Sequence, residues 1–455
     1  MYVRYLSWRY LMRRRINIIG VMGITVGVGA LIMILSIMSG FLEESRNTVR
    51  GSLSDVIIEP SGAPRMDGSR LPKQVEPLLN AVLADERVEA ASPHLSWAGL
   101  LIQSGWGAKD SVERLKDAQG SDLAFAHFVG IDVEAEFATT ELRAALEDPT
   151  EKWGVPVDDV EHPFARPKGY DGDAPWAWVV VGEQLAGYHG LYQGSLINLV
   201  TVVPDPYTGE AEQCNRKFLV AGTFRSGENE VDLTRIYVAR EELADFIGDT
   251  HEFTQLLVKL KDYEAERGTI AESLGDSLVK QGLLARRGSL EVRTWESFRG
   301  SLLGAIENER VLMGIMLGLI VLVAAFTVFA ILMMMVTEKR RDIGILTALG
   351  ATPRSIMAIF LMIGMWNALL GCLIGATVGI IGALKIDALE QFLSATFGVQ
   401  IFNREVYIFD HIPSVVSPVA VASIVGGALI ATAVFSLVPA WSASRLHPID
   451  ALRAE

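Results

Sequence analysis

The sequence predicts an α-helical membrane protein with four transmembrane helices and a large α+β domain inserted between the first and the second. Three observations carry that expectation. Four apolar runs, residues 16–41, 311–336, 356–384 and 419–441, each reach the ~20 residues needed to cross a ~30 Å hydrocarbon core. Residues 42–310, between the first two runs, alternate short β-rich stretches with helical ones. Basic residues crowd one side of the runs, which selects a single orientation for all four.

Composition agrees. Half of the 455 residues are apolar and the mean hydropathy is +0.31, too high for an ordinary soluble chain of this size. Yet 21% are charged, too many for a chain that is membrane throughout. The net charge of −14 excludes a nucleic-acid partner, whose phosphates need a basic face. Cys214 lies in a polar stretch and Cys372 in an apolar run, so no intrachain disulfide is expected.

In chain order, "MYVRYLSWRYLMRRR" (1–15) mixes rings and arginines, as an interfacial segment does; a plain topology signal has the same composition. The first run follows. It far exceeds the ~7–15 residues of a signal-peptide core and leaves through "SIMSGFLEES", so it is expected to be an uncleaved anchor. It carries Gly20, Gly23, Gly27 and Gly29.

Within 42–310, "SDVIIEP", "HFVGID", "WVVVG", "SLINLVTVV", "RKFLVAGTF" and "TRIYVA" read as strands. "REELADFIG" and "DYEAERGTIAESLGDSLVKQG" read as helices. Residues 148–175, rich in Pro, Gly and Asp, are expected as an acidic surface insertion, and residues 203–217 as a hairpin.

Beyond the second run, "TEKRRDIGILTALGATPRS" is more ordered than a connecting loop requires. Ile343, Ile345, Leu346 and Leu349 fall at helical spacings, Gly350 suits a left-handed stop, and Thr352 with Pro353 suits a new helix start. A stop-transfer charge cluster would account for Arg340 and Arg341 but not for the capping. The spacing therefore predicts a short helix built to dock in a groove of a partner on that side of the membrane.

The third run carries Gly371, Gly375 and Gly379 on one face, which predicts close helix contact inside the subunit or across a dimer. Asn367 is expected to bond between helices. No run contains Asp, Glu, Lys or Arg, which excludes an ion-coupled pump. A loop at 385–418 precedes the fourth run, and a tail follows at 442–455.

Residues 1–15, 337–355 and 442–455 together hold 11 Lys/Arg against 4 Asp/Glu, and the rest of the chain 29 against 50. Both termini are therefore expected in the cytoplasm and residues 42–310 outside. No GxxxxGK[ST], HExxH or GxSxG occurs, so the chain is expected to be non-catalytic, with no metal or nucleotide of its own.

"EKRRDIGILTALGA" and the tail "PAWSASRLHPIDALRAE" resemble ABC-transporter permeases of the MacB/FtsX superfamily. "VGVGALIMILSIMSGF", "VGIDVEAE", "VVVGEQLAGYHGL" and "YIFDHIP" resemble its lipoprotein-releasing LolC/LolE branch. That resemblance implies a bacterial inner-membrane subunit whose 42–310 domain is periplasmic. It implies two copies of a separate ATPase supplying ATP and Mg, a second permease (identical or paired), a periplasmic lipoprotein carrier, lipoprotein cargo and contact with membrane lipids.

Residue by residue, the resemblance assigns ATPase coupling to Glu338, Lys339, Arg340, Arg341, Asp342, Ile343, Leu346, Leu349 and Gly350. A cargo cavity would be lined by Val28, Leu31, Leu35, Met38, Met316 and Ile320. The hairpin would be a carrier hook with Pro204, Pro206 and Tyr207 at its turn, beside the plain surface hairpin that the residues alone describe. A MacB-like efflux permease, or an FtsX-like transmitter controlling a cell-wall hydrolase, uses the same coupling segment and stands as the alternative.

Overall fold

A computed structural model describes residues 5, 7, 9, 16–59, 75–103, 123–147, 154–172, 175–204, 210–247, 253–283, 292–397 and 412–446. They fall into two compact units, one helical (residues up to Glu44 and from Leu302 onward) and one mixed, within Ser45–Ser301.

Among the described residues, four helices are long and apolar enough to cross a membrane: Ile16–Leu53, Gly300–Glu338, Pro353–Leu384 and Pro418–Ser444. The first two outrun the apolar stretches that signal them. "LEESRNTVRGSL" keeps its helix because Leu42, Val49 and Leu53, spaced seven and four residues apart, bury one face.

The glycine-bearing face of the third helix packs within the subunit, against the first. A Cβ on Gly371 would lie 2.7 Å from Ile24 Cβ, on Gly375 2.7 Å from the Thr25 carbonyl oxygen, and on Gly379 2.7 Å from the Gly29 carbonyl oxygen. Thr25 Oγ1 donates to the Gly371 carbonyl at 3.3 Å across this seam. On its other side the first helix meets the second, where Gly23 faces Ala324 and Gly27 faces Val321. Gly364 leaves room for Ser436 of the fourth helix. Asn367 differs from expectation: its Nδ2 donates to the Ile363 carbonyl of its own helix at 3.1 Å, a local side-chain-to-backbone bond that competes with one between helices.

The described residues of the mixed unit form nine strands: β1 Val56–Ile58, β2 Val88–Gln103, β3 Leu123–Ile131, β4 Trp178–Gly182, β5 Leu196–Pro204, β6 Ala211–Phe224, β7 Arg235–Ala239, β8 Gln255–Leu260 and β9 Val292–Thr294. Their order is β3-β7-β4-β6-β5-β2-β8-β1-β9, and a further β3–β2 pairing closes six of them into a ring. β2 makes this possible. Its Val88–His94 half pairs with β8, and its Leu95–Gln103 half pairs with β3 and β5. Period-two alternation splits the ring strands between two cores. Leu95, Phe128, Val179, Ile197, Phe218 and Ile236 fill one, and Val129, Trp178, Val180, Leu219 and Tyr237 the other.

Two features depart from the sequence reading. β2, β8 and β9 were not legible; in β2, Pro93, Ser96 and Gly99 break the alternation that marks a strand. The 148–175 segment, where described, is no detached insertion. Thr223 N donates to the Val155 carbonyl at 2.8 Å, Val157, Val160 and Phe164 pack on the second core, and Tyr170 meets the Trp178 ring edge-on at 5.1 Å. Its scattered apolar residues cover a sheet face that would otherwise be wet.

Two carboxylates brace this unit from inside. Glu136, fully buried, accepts from Ser92 Oγ at 2.6 Å and Thr140 Oγ1 at 3.0 Å and pairs with His94 Nε2 at 2.6 Å. Burial pushes its pKa up, but the His94 charge and these bonds outweigh it and hold the carboxyl below the usual range. Asp232 accepts from Ser226 N at 2.8 Å and Oγ at 2.7 Å, yet burial pushes it up to about 6.

Adding one methyl at Gly375 should cost roughly 1–3 kcal/mol, because two backbones must separate. A lowered melting temperature for Gly375→Ala in the solubilised chain, with no loss for Gly318→Ala, where the added atom meets open space, checks this. The raised pKa of Asp232 makes its ionisation a burden that is absent below pH ~4, where both states are protonated, and complete above pH ~6. Asp232→Asn should therefore raise thermal stability at pH 7.5, by up to about 3 kcal/mol, and leave it unchanged at pH 3.5.

Candidate functional site

The turn between the second and third long helices gathers most of the residues that the sequence singles out. Arg340–Ala348 forms a separate helix, with Lys339 at its N-cap and Lys339 Nζ 2.6 Å from Asp342 Oδ2. Glu338 ends the helix before it. Arg340 and Arg341 are exposed, and so is Arg354 after the turn.

The C-terminal stop is a six-to-one, five-to-two arrangement. Ala351 N donates to the Leu346 carbonyl and Gly350 N to the Thr347 carbonyl, both at 3.0 Å. Gly350 has φ +96°, and no atom lies within 4 Å of where its Cβ would be, so glycine is required here for conformation and not for space. Thr352 Oγ1 then accepts from Ser355 N at 3.3 Å, and Pro353 opens the third long helix.

The four apolar positions of this helix do not share a face. Ile343 is 3% exposed and belongs to the helical core, and Leu346 is half-buried. Ile345 and Leu349, one helical turn apart, point outward at 45% and 80% exposure. The outward surface is thus two aliphatic side chains beside arginines, on a helix whose C-terminal end is closed by the Gly350 stop.

The residues assigned to a cargo cavity are not brought together. Val28 and Leu31 are buried in the helical core, Val28 against Gly375, while Leu35 and Met38 are half-buried. Met316 and Ile320 are exposed on the second helix, within an apolar face that includes Leu312, Leu319 and Val323. The glycines of the first helix serve packing against its two neighbours. At the hairpin, Pro204 ends β5 opposite Ala211 of β6. Pro206 and Tyr207 lie outside the described residues.

Sequence reasoning missed the helix Ile386–Phe397 in the 385–418 loop. Leu389 and Phe392, exposed and three residues apart, were the available signal.

Comparison with known proteins adds two family models. The FtsX-like permease C-terminal model matches residues 314–448 and the MacB-like periplasmic core domain matches residues 18–157. The lipoprotein-releasing system transmembrane protein LolC of Xylella fastidiosa (strain 9a5c) is 26% identical over 455 residues, covering 98% of this chain and 97% of the relative. LolC of Neisseria meningitidis serogroup B is 28% identical, covering 97% and 94%. LolE of Haemophilus influenzae is 23% identical, covering 98% of both chains.

Replacing Gly350 by Ala puts a side chain in the left-handed region, at a cost of roughly 1–2 kcal/mol. Hydrogen exchange at the Ala351 amide should quicken by about tenfold or more, as that cost is taken from local opening, while amides in the middle of the third helix keep their rates.

Proposed function

We propose that this chain, which belongs to the FtsX-like ABC-transporter permeases with a MacB-like periplasmic core, is the membrane subunit of a lipoprotein-releasing transporter. The observation that carries the proposal is the capped helix Arg340–Ala348, with Ile345 and Leu349 held out from the membrane helices; the cargo comes from relatives that match along the whole chain. Both termini and the capped helix lie in the cytoplasm and the mixed unit in the periplasm, an orientation that the distribution of Lys and Arg supports.

Each of two ATPase subunits receives one such helix in a groove on its surface. Leu349 and Ile345 enter the groove, and Arg340 and Arg341 meet acidic groups at its rim. ATP and Mg bind those ATPases; this chain is non-catalytic and pairs with a second permease, identical or related. ATPase closure moves the capped helix, and Ile343, seated in the helical core, passes the motion to the long helices. A rigid corner at Gly350 is needed for this, since a loose loop would absorb the displacement.

The work done is extraction. Each buried CH₂ of an acyl chain holds a lipoprotein in the bilayer by ~0.8 kcal/mol, so two or three chains do not leave unaided. The exposed apolar face of the second helix around Met316 and Ile320 is where acyl chains leaving the outer leaflet first meet the protein. Released cargo passes to a periplasmic carrier, for which the β5–β6 hairpin beyond Pro204 is the docking candidate.

Leu349→Glu leaves the helical core untouched, because Leu349 is 80% exposed. Co-purification of the ATPase should fall at least about tenfold, the ~1.4 kcal/mol that one buried leucine readily supplies, with membrane insertion unchanged. Photocrosslinkers at Met316 and Ile320 should capture acylated proteins in cells fed labelled fatty acids, and one at buried Val28 should not. If ATPase docking is intact and no acylated adduct forms, the cargo assignment fails. Capture of a membrane-fusion adaptor in place of a lipoprotein carrier would indicate efflux instead.

A further inference from the structure

The mixed unit contains a cavity of about 380 Å³, within the ~300–1,000 Å³ span of small-ligand pockets. It lies where β2 leaves β8 for β3, so its walls come from both parts of the sheet. They include His94 of β2, Phe125 and His127 of β3, Arg235 of β7, and Phe298 and Arg299 after β9.

Most charges around this cavity are already committed. Glu136, behind His94, is held by the buried network described above. Arg299 pairs with Glu228, and with Glu230 at 3.3 Å, and Ser52 Oγ donates to Glu228 at 2.9 Å. Arg235 differs. Among the described residues no carboxylate pairs with it; Nη1 donates to Tyr237 Oη at 3.0 Å, and the guanidinium stands 5.7 Å from that ring's centre. A guanidinium carries five N–H donors, so most of its capacity is unmet among the described residues.

His127 sits beside it, opposite Arg235 in the parallel β3–β7 register. Neither of its ring nitrogens is hydrogen-bonded among the described residues. Burial, and then the charge of Arg235, push its pKa down to about 4, so near neutral pH the ring is uncharged and offers one N–H and one lone pair. Phe125, 57% exposed on the same strand two residues away, and Phe298 opposite supply apolar surface.

We infer that this cavity binds a small organic carboxylate bearing an apolar group. The carboxylate lies bidentate on Arg235 with the His127 N–H on its flank, and the apolar group packs against Phe125 and Phe298. The planar guanidinium fork matches a carboxylate; Glu228 and Glu230 bond Arg299, and Glu228 and Glu136 act on Arg235 only through space, so its forked donors are left for a ligand. The inference concerns the mixed unit alone and holds whatever cargo the permease carries.

The test uses the full chain in lipid nanodiscs, with its histidines ¹³C-labelled, titrated with N-acetyl-L-phenylalanine and with its neutral amide. The acid should bind saturably and at least about tenfold more tightly than the amide, the share expected of a charge-assisted bidentate contact. Arg235→Gln should weaken the acid by about tenfold or more. Phe125→Ala removes a side chain that is mostly exposed, so the fold is kept, and should weaken the acid by roughly threefold to tenfold. The acid should also raise the His127 titration midpoint from about 4, because a bound anion favours the imidazolium; an arginine with only a packing role would not move it. Absence of saturable binding up to about 10 mM, equal binding of acid and amide, or acid binding indifferent to Phe125→Ala with His127 unmoved, overturns the assignment.

Discussion

The helical unit depends on one contact: the backbone of the third long helix lying directly on the backbone of the first. In hydrocarbon no hydrophobic force drives helices together, so close packing and weak polar contacts across it must do so. Gly371, Gly375 and Gly379 let carbonyls and Cα atoms of Val21, Thr25 and Gly29 approach where any side chain would intrude. With that seam fixed, the first helix has one free flank, which Gly23 and Gly27 give to the second helix. The third helix in turn gives Gly364 to the fourth. Small residues thus set the order of the helices, and large ones such as Ile24, Val28 and Phe360 fill what remains.

The same economy of backbone satisfaction governs the turn at the membrane surface. Two helices ending within a few residues leave unpaired carbonyls and amides on both sides. Here the Gly350 corner meets the carbonyls of Leu346 and Thr347, and Thr352 meets the amide of Ser355. The result is a stiff knuckle whose inner side, Ile343, is embedded in the helical core and whose outer side, Ile345 and Leu349, is not. Substitutions at Gly350 alter the backbone of this knuckle, whereas those at Leu349 change only its outer surface.

In the mixed unit the organising constraint is strand pairing. Closure of six strands removes most exposed edges, and β2 serves as a shared member of ring and extension. Where one strand serves two partners, the sheets diverge and leave a cleft; His94 pairs across to Gln255 while its neighbour Leu95 pairs with Gly130. Buried Glu136 ties that crossing point to the helix Val133–Thr139, so polar groups gather there for a structural reason.

Elements whose signals are local can be read from the chain before it folds. Four long apolar runs, the Gly350 stop, the Thr352–Pro353 start and the flanking arginines are legible because length, capping and charge act over a few residues. Five of the six strands of the ring announced themselves in the same way, through β-branched runs. Tertiary structure decided what depends on residues far apart in the chain. It decided which helix the Gly371 face meets, that Ile343 turns inward while Leu349 turns out, and that Val28 is core and not cavity wall. It decided that β2 is a strand at all, since its Pro, Ser and Gly are tolerated only because β8, β3 and β5 supply the pairing that its own alternation does not specify. Arg235 and His127 carry no motif, and they become neighbours only when β3 and β7 pair in parallel across more than a hundred residues of chain.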